Sequence, residues 1–309
     1  MYRRYCHLAV SLLIVALLAC GCGKQAPSGS AAIGTAANPI KMAMVPSLDS
    51  QKLVASGDKL ASLLEKETGL KYEISVPTSY TAVITAMGSG TVDVGWLSPL
   101  PYVIAHDRYN VEVVLRTVRD DSDKYWSFII ARADGGVKTL ADLKGKRFAY
   151  GDPVSTSGAI YPKHLIRTSG YDPERFFSQV IYAGAHDRVV MAVYNKQVDA
   201  GAIYGGVKTD AREKVLKALP DVMTKTRIIA KSIEIPNDTV SVRAGLPPAI
   251  AKKITDGLLK ISKSPEGKKA VFDLYGIDGF VPAKDSDYDS VRKVAEAEKI
   301  QLEQIDKKK

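Results

Sequence analysis

From residue 40 onward the apolar positions keep changing period, and each change marks an element. IKMAMV (40–45) reads as a buried strand, and Leu53, Leu60 and Leu64 follow at helical spacing up to a stop at Gly69. KYEISV then sets Tyr72, Ile74 and Val76 against Lys71, Glu73 and Ser75, the period of a half-buried strand, which Pro77 ends. The alternation continues: SYTAVITAM (79–87) predicts a helix, VDVGWL (92–97) a strand, PYVIAHDR (101–108) a helix and VEVVLRTV (111–118) a strand. Strands alternating with helices at this spacing predict a largely parallel α/β sheet.

A second series starts at the strand SFIIAR (127–132). It continues through a short helix at LADL, a strand at RFAYG (147–151), a helix over 155–167, a strand at QVIYAG (179–184) and a helix over 186–195. VDAGAIY (198–204) is a strand opening another helix, RIIAKS and IPNDTVSV (within 227–242) run back as extended chain, and helices over 247–264 and 290–303 finish the protein. The fold class is therefore α/β, with two units and the chain crossing between them near 126 and again near 238. Residues 39–126 with 239–309 form one lobe and 127–238 the other, a clamp with a cleft at its hinge.

Residues 1–22 carry a different signature. Arg3 and Arg4 precede twelve residues (8–19) in which only Ser11 is polar, followed by small residues and cysteine. Twelve residues rise about 18 Å as a helix, short of a hydrocarbon core of about 30 Å, so the segment predicts an export signal rather than a span. Its end, LLAC, is similar to a bacterial lipoprotein signal, in which the cysteine becomes the lipidated N-terminus; Cys20 fits that role, and Cys22 fits it as an alternative. Residues 23–38, rich in Gly, Ala, Ser and Pro, predict a flexible tether. The protein is expected to be exported, lipid-anchored and facing the periplasm or cell exterior.

Composition narrows the chemistry. The net charge is +9, and +7 once Arg3 and Arg4 leave with the acid-free leader. Lys and Arg are scattered among acids without a basic stripe or an aromatic-rich RNA motif, which speaks against nucleic acid, and a modest positive field suits a small anion. All three cysteines, Cys6, Cys20 and Cys22, precede the folded part, so nothing after them supplies a disulfide, a thiolate nucleophile or a Cys-ligated metal.

Ligands of open α/β sheets collect where strands end and helices begin, because unpaired N–H groups and the helix dipole point there. Four such junctions stand out: Thr78-Ser79-Tyr80, Leu97-Ser98-Pro99, the run from Asp152 to Gly158 (DPVSTSG), and Gly184-Ala185-His186-Asp187. Ser155, Thr156 and Ser157, followed by Gly158, can offer one oxyanion several hydroxyl and backbone donors without a full charge. The same run also suits an ordinary helix cap. His186 can donate whether neutral or charged, with cationic character favoured by an anion. His106 and His164 lie inside helices and fit packing roles, and Tyr125 and Trp126 near the crossing fit either the cleft wall or ordinary packing.

Three segments then resemble one family in order and spacing: YTAVITAMGSGTVDVGWLSPLPYVIAHDR, LADLKGKRFAYGDPVSTSGAIYPKHLI and YAGAHDRVVMAVYNKQVDAGAIY. They are similar to the substrate-binding proteins of phosphate, phosphite and phosphonate ABC transporters, over roughly residues 40–280. The resemblance implies a type II periplasmic binding fold that closes over a tetrahedral phosphorus oxyanion. It implies that Ser155, Thr156, Ser157, His186 and Tyr80 cage the oxygens, with Ser98 and Tyr102 in the first-lobe segment. Asp199 matches the family's aspartate in Val-Asp-Ala-Gly; it either receives a ligand amine or bonds to nearby backbone, and the latter fits the residues better.

A phosphoester-acting enzyme would need an activated nucleophile or a metal cluster, and the chain has no His-x-x-x-His pair and no P-loop pattern. No cofactor or metal is expected. The expected protein is a monomeric clamp that delivers an oxyanion to a membrane permease, a sensor presenting the same closed clamp to a receptor being the alternative.

Overall fold

The computed structural model describes residues 31–300. The expected leader, residues 23–30 of the expected tether and residues 301–303 of the helix expected over 290–303 fall outside them; that helix already ends at Ala297, short of the expected bound. The last stretch assigned to the tether is bonded to the fold: Gly34 N donates to Asn38 O at 2.7 Å, and Lys71 N donates to Gly34 O at 2.8 Å. Ile33 packs against the core, which a composition rich in small residues did not suggest.

The first series comprises β1 (Ile40–Met44), α1 (Ser50–Thr68), β2 (Tyr72–Ser75), α2 (Tyr80–Gly88), β3 (Val94–Leu97), α3 (Pro99–Tyr109) and β4 (Glu112–Val118). The second comprises β5 (Lys124–Arg132), β6 (Arg147–Tyr150), α4 (Tyr161–Thr168), β7 (Gln179–Tyr182), α5 (His186–Tyr194) and β8 (Ala200–Gly205). Then come α6 (Val222–Lys225), β9 (Thr226–Lys231), β10 (Ile235–Pro236), β11 (Thr239–Val242), α7 (Pro248–Ile261), α8 (Pro265–Tyr275), β12 (Gly279–Pro282) and α9 (Asp289–Ala297).

Two mixed sheets result, with strand orders β12-β4-β11-β3-β1-β2 and β10-β5-β8-β6-β7, β9 pairing with β5. Only β2-β1-β3 and β7-β6-β8 are parallel; β4, β5, β9, β10, β11 and β12 join their neighbours antiparallel. The expected largely parallel sheet is corrected here for a topological reason. A βαβ crossover makes a parallel pair, whereas β5 and β11 are each the first strand after the chain changes sheets, and both enter antiparallel. The changes occur between Val118 and Lys124 and between Pro236 and Thr239.

Covered on both faces, β8 is buried along its whole length, which is why AGAIYG does not alternate. Leu53, Leu60 and Leu64 of α1 are buried as their spacing requires, each worth about 1.5–3 kcal/mol of apolar burial. Helix α8 and strand β12 were not foreseen. Ser-Pro-Glu-Gly at 264–267 resembles a turn, but Ser264 caps the helix by accepting from Gly267 N at 3.0 Å, with Pro265 in the first turn. The helix expected after residue 204 is a 3₁₀ turn, Ala211–Val215. No helix among the described residues is long and apolar enough to cross a membrane.

Candidate ligand site

Five strand-to-helix junctions meet around a cavity of about 30 Å³. Ser47 and Leu48 come from the loop before α1, Tyr80 from the first position of α2, Ser98 from the cap of α3, Ser155 and Ser157 from the turn before α4, and His186 from the first position of α5. A water needs roughly 10–15 Å³ by this measure, so the space suits a compact polar group rather than a long chain.

The second-lobe wall is built by local capping. Ser155 Oγ accepts from Gly158 N at 3.1 Å and starts a π-helical turn, Thr156–Ile160, a form of winding that recurs at functional sites. Ser127 Oγ, on β5, donates to Ser157 O at 2.7 Å and fixes that turn to the sheet. Both Ser155 and Ser157 line the cavity. Thr156 does not: its Oγ1 accepts from Leu100 N at 2.9 Å and donates to Ser98 Oγ at 3.3 Å, so its hydroxyl joins the second lobe to α3. Of the three hydroxyl residues expected to form a cradle, two line the cavity and the third makes two bonds to the first-lobe segment Ser98–Leu100.

Three further bonds join the lobes beside the cavity. His186 N donates to Ser47 O at 2.9 Å, Asp49 N to Asp187 Oδ2 at 3.1 Å, and Tyr80 N to Asp152 Oδ2 at 3.4 Å. Burial raises the pKa of both Asp152 and Asp187, partly offset by the backbone N–H groups they accept.

The His186 ring stands edge-on to Tyr204 with centroids 5.1 Å apart, and its Nδ1 is buried with no hydrogen-bond partner. Burial, reinforced by the Arg119 charge, lowers its pKa to about 3. The ring is therefore neutral at neutral pH before an anion arrives, not cationic. The unfolded chain takes up its proton near pH 6.5 and the folded chain only near 3, so stability falls as pH drops through that window. At pH 5 the loss is about 2 kcal/mol relative to pH 7 and above. Denaturant melts from pH 7.5 to 4.5 should show this slope in the parent and lose most of it in His186→Gln; equal slopes would place the acid sensitivity elsewhere.

Two candidates lie outside the cavity. Asp199 accepts from Arg147 N at 2.8 Å and pairs with Arg147 Nη2 at 2.9 Å, and that pairing holds its pKa low. The carboxylate joins β6 to the start of β8, the backbone role its residues suggested. Tyr102 donates to Asp285 Oδ1 at 2.9 Å and packs on Tyr288, 4.9 Å between centroids, which turns it toward the C-terminal elements. Among the residues read either way, Tyr125 lines the cavity, whereas Trp126 stacks under Lys231 Nζ, 3.4 Å from its ring centroid. His106 Nδ1 lies 2.9 Å from Val111 O, and His164 pairs with Glu298 at 3.2 Å, both outside the cavity wall.

Several lining groups were not foreseen: Ser47, Thr117, Arg119, Asp238 and Tyr275. Ser47 belongs to a fifth junction, Val45 to Asp49, that follows the pattern of the other four. Arg119 and Asp238 sit on the two segments where the chain changes sheets, 3.4 Å apart as an ion pair. A charge immediately after an apolar strand was the available signal at Arg119.

A family model described as the periplasmic substrate-binding protein of phosphonate ABC transporters matches residues 42–288. The chain belongs to this family. It is 32% identical to the "Phosphonates-binding periplasmic protein" of Escherichia coli (strain K12), over 75% of this chain and 68% of that protein. It is 30% identical to the "Phosphate-import protein PhnD" of Mycolicibacterium smegmatis, over 95% of this chain and 96% of that one. A crystal structure of a binding protein component of an ABC phosphonate transporter from Pseudomonas aeruginosa superposes with a TM-score of 0.77 at 26% identity, covering 84% of this chain and 87% of that one. The protein has the type II periplasmic binding fold, acts outside the cytoplasm and is the substrate-binding component of an ABC transporter, in a family of transport proteins rather than enzymes.

Proposed function

We propose that the cavity captures a phosphorus oxyanion, whether phosphonate, phosphite or phosphate, and that the lobes 39–126 with 239–309 and 127–238 close over it before the clamp meets its permease. One observation carries this: five helix starts converge on a cavity where three buried polar atoms, Thr117 Oγ1, Arg119 Nε and His186 Nδ1, have no hydrogen-bond partner. Helix starts supply N–H groups and a favourable dipole, and buried polar atoms left without a partner are costly until something accepts from or donates to them. Ser155, Ser157, His186, Tyr80 and Ser98 are the contacts, with Thr156 acting through closure.

The relatives named for phosphonates and for phosphate set the range of ligands. Calorimetric titration with phosphate, phosphite and methylphosphonate should give saturable one-to-one binding to at least one of them. Failure of all three would remove this reading. Binding without turnover is expected, since Ser155 Oγ caps a helix start by accepting from Gly158 N and so fits the role of a ligand-facing donor. Ligand incubated with the protein should return unaltered in ³¹P spectra, and sustained product release would favour an enzyme instead.

The working form is a monomer tethered through a lipid on Cys20 or Cys22. Exchanging both cysteines for serine should shift the protein out of the membrane fraction. Unchanged partition would refute the anchor.

A further inference from the structure

We propose that Arg119, through its pairing with Asp238, restricts the site to small tetrahedral oxyanions that carry no cationic tail. This rests on the oxyanion reading of the cavity and adds which members of that class enter.

Among the described residues that line the cavity, Arg119 and Asp238 alone carry a formal charge, once burial has made His186 neutral. The cavity thus holds one cation and one carboxylate, already facing each other at 3.4 Å. That contact is long and uses one nitrogen, while Arg119 Nε has no partner and the residue is only 4% exposed. A guanidinium presents five N–H donors in a rigid fork, so an arriving oxyanion can take the unused ones without dismantling the pair. Thr117 Oγ1 and His186 Nδ1, also without partners, line the same cavity.

The side chain is held where it is. Arg119 and Ser122 exchange backbone hydrogen bonds at 2.9 and 3.0 Å across a tight turn whose central residues, Asp120 and Asp121, have φ of 54° and 59°. That geometry suits a type I′ turn. Asp120 Oδ2 accepts from Lys208 N at 2.8 Å and from Thr209 N and Oγ1 at 3.0 Å, tying the turn to the second lobe. The guanidinium itself lies over the Tyr204 ring, 5.4 Å from its centroid. It is a fixed wall of the site rather than a mobile surface arginine.

An aminoalkyl tail meets three obstacles here. Its ammonium needs a carboxylate, and the only one lining the cavity is engaged. The group that engages it is a cation, so the tail would be repelled at close range in a poorly solvated space. A cavity of about 30 Å³ also leaves little room beyond a tetrahedral head. The same arginine that attracts the head excludes the tail.

Titrations of the full mature chain with phosphate, phosphite, methylphosphonate and 2-aminoethylphosphonate test this. The parent should bind its best tail-less oxyanion at least about a hundredfold more tightly than 2-aminoethylphosphonate. Arg119→Ala should weaken the tail-less ligands by about tenfold or more and narrow the preference by about thirtyfold, because Asp238 is released to an ammonium. A parent that binds 2-aminoethylphosphonate as tightly as its best tail-less ligand overturns the inference. So does a folded Arg119→Ala whose order and ratios of affinity are unchanged. If Arg119→Ala fails to fold, Arg119→Gln, which keeps polar reach without the charge, should show the same narrowing of the preference, and unchanged ratios in it overturn the inference. A parent silent to all four ligands brings down the oxyanion reading itself, a result distinguishable before any variant is made.

Discussion

Replacing Gly158 by alanine should cost the protein its ligand, with affinity falling by about a hundredfold or more while the chain stays folded. A Cβ at this position would stand 2.8 Å from Ser155 Oγ, 3.1 Å from His186 Cε1 and 3.2 Å from Gly151 Cα. The backbone of Gly151 cannot yield easily, because Gly151 N donates to Gly158 O at 2.8 Å and holds the two segments together. The methyl must therefore displace the serine hydroxyl or the imidazole, and both line the cavity. Overpacking of this kind costs about 1–3 kcal/mol, which a folded two-lobe protein can absorb while its site geometry cannot. Titration alongside a thermal melt separates the two effects. A folded Gly158→Ala protein binding within threefold of the parent would mean that the ligand does not rest against the Ser155–His186 wall.

The triple change Ser155→Ala, Thr156→Ala, Ser157→Ala should lower affinity by about three decades, from three different losses. Removing Ser155 Oγ takes away the cap on Gly158 N, about 1 kcal/mol, together with a lining hydroxyl. Removing Ser157 Oγ takes a second lining hydroxyl. Removing Thr156 Oγ1 leaves the buried Leu100 N without its acceptor and so weakens closure rather than contact. Thr156→Ser keeps the hydroxyl and should bind nearly as the parent does, whereas Thr156→Ala alone should lose about a decade. Retained affinity in a folded triple variant, with an anion located elsewhere in its crystal structure, would reduce this helix start to a cap.

Most elements on both sides of the site were legible because each follows from local period and punctuation: β1, α1, β3 and β8 are apolar runs or stripes bounded by Gly, Pro or Ser. Sheet direction was not, since whether β5 and β11 enter parallel or antiparallel depends on where the chain comes from, not on its own residues. The lining residues divide in the same way. Ser155, Ser157, His186, Tyr80 and Ser98 stand at helix starts that the sequence announces, and all five line the cavity. Arg119 and Asp238 are 119 positions apart and become neighbours only when both hinge segments are in place. Thr156 and Tyr102 belong to announced helix starts too, yet turn toward Leu100 N and Asp285, because one turn of winding decides which way a side chain faces.

None of the four backbone N–H bonds that join the lobes beside the cavity passes through a ligand. Asp152, Thr156, Asp187 and Ser47 O accept backbone N–H groups that would otherwise wait for water at the starts of α2, α3, α1 and α5. The shut clamp is therefore partly self-held, by contacts worth a few kcal/mol together on the order of a net hydrogen bond each. Loss of the cargo does not by itself undo them. The empty protein therefore keeps a bias toward closure that the cargo does not supply, set by these backbone groups and not by the oxyanion.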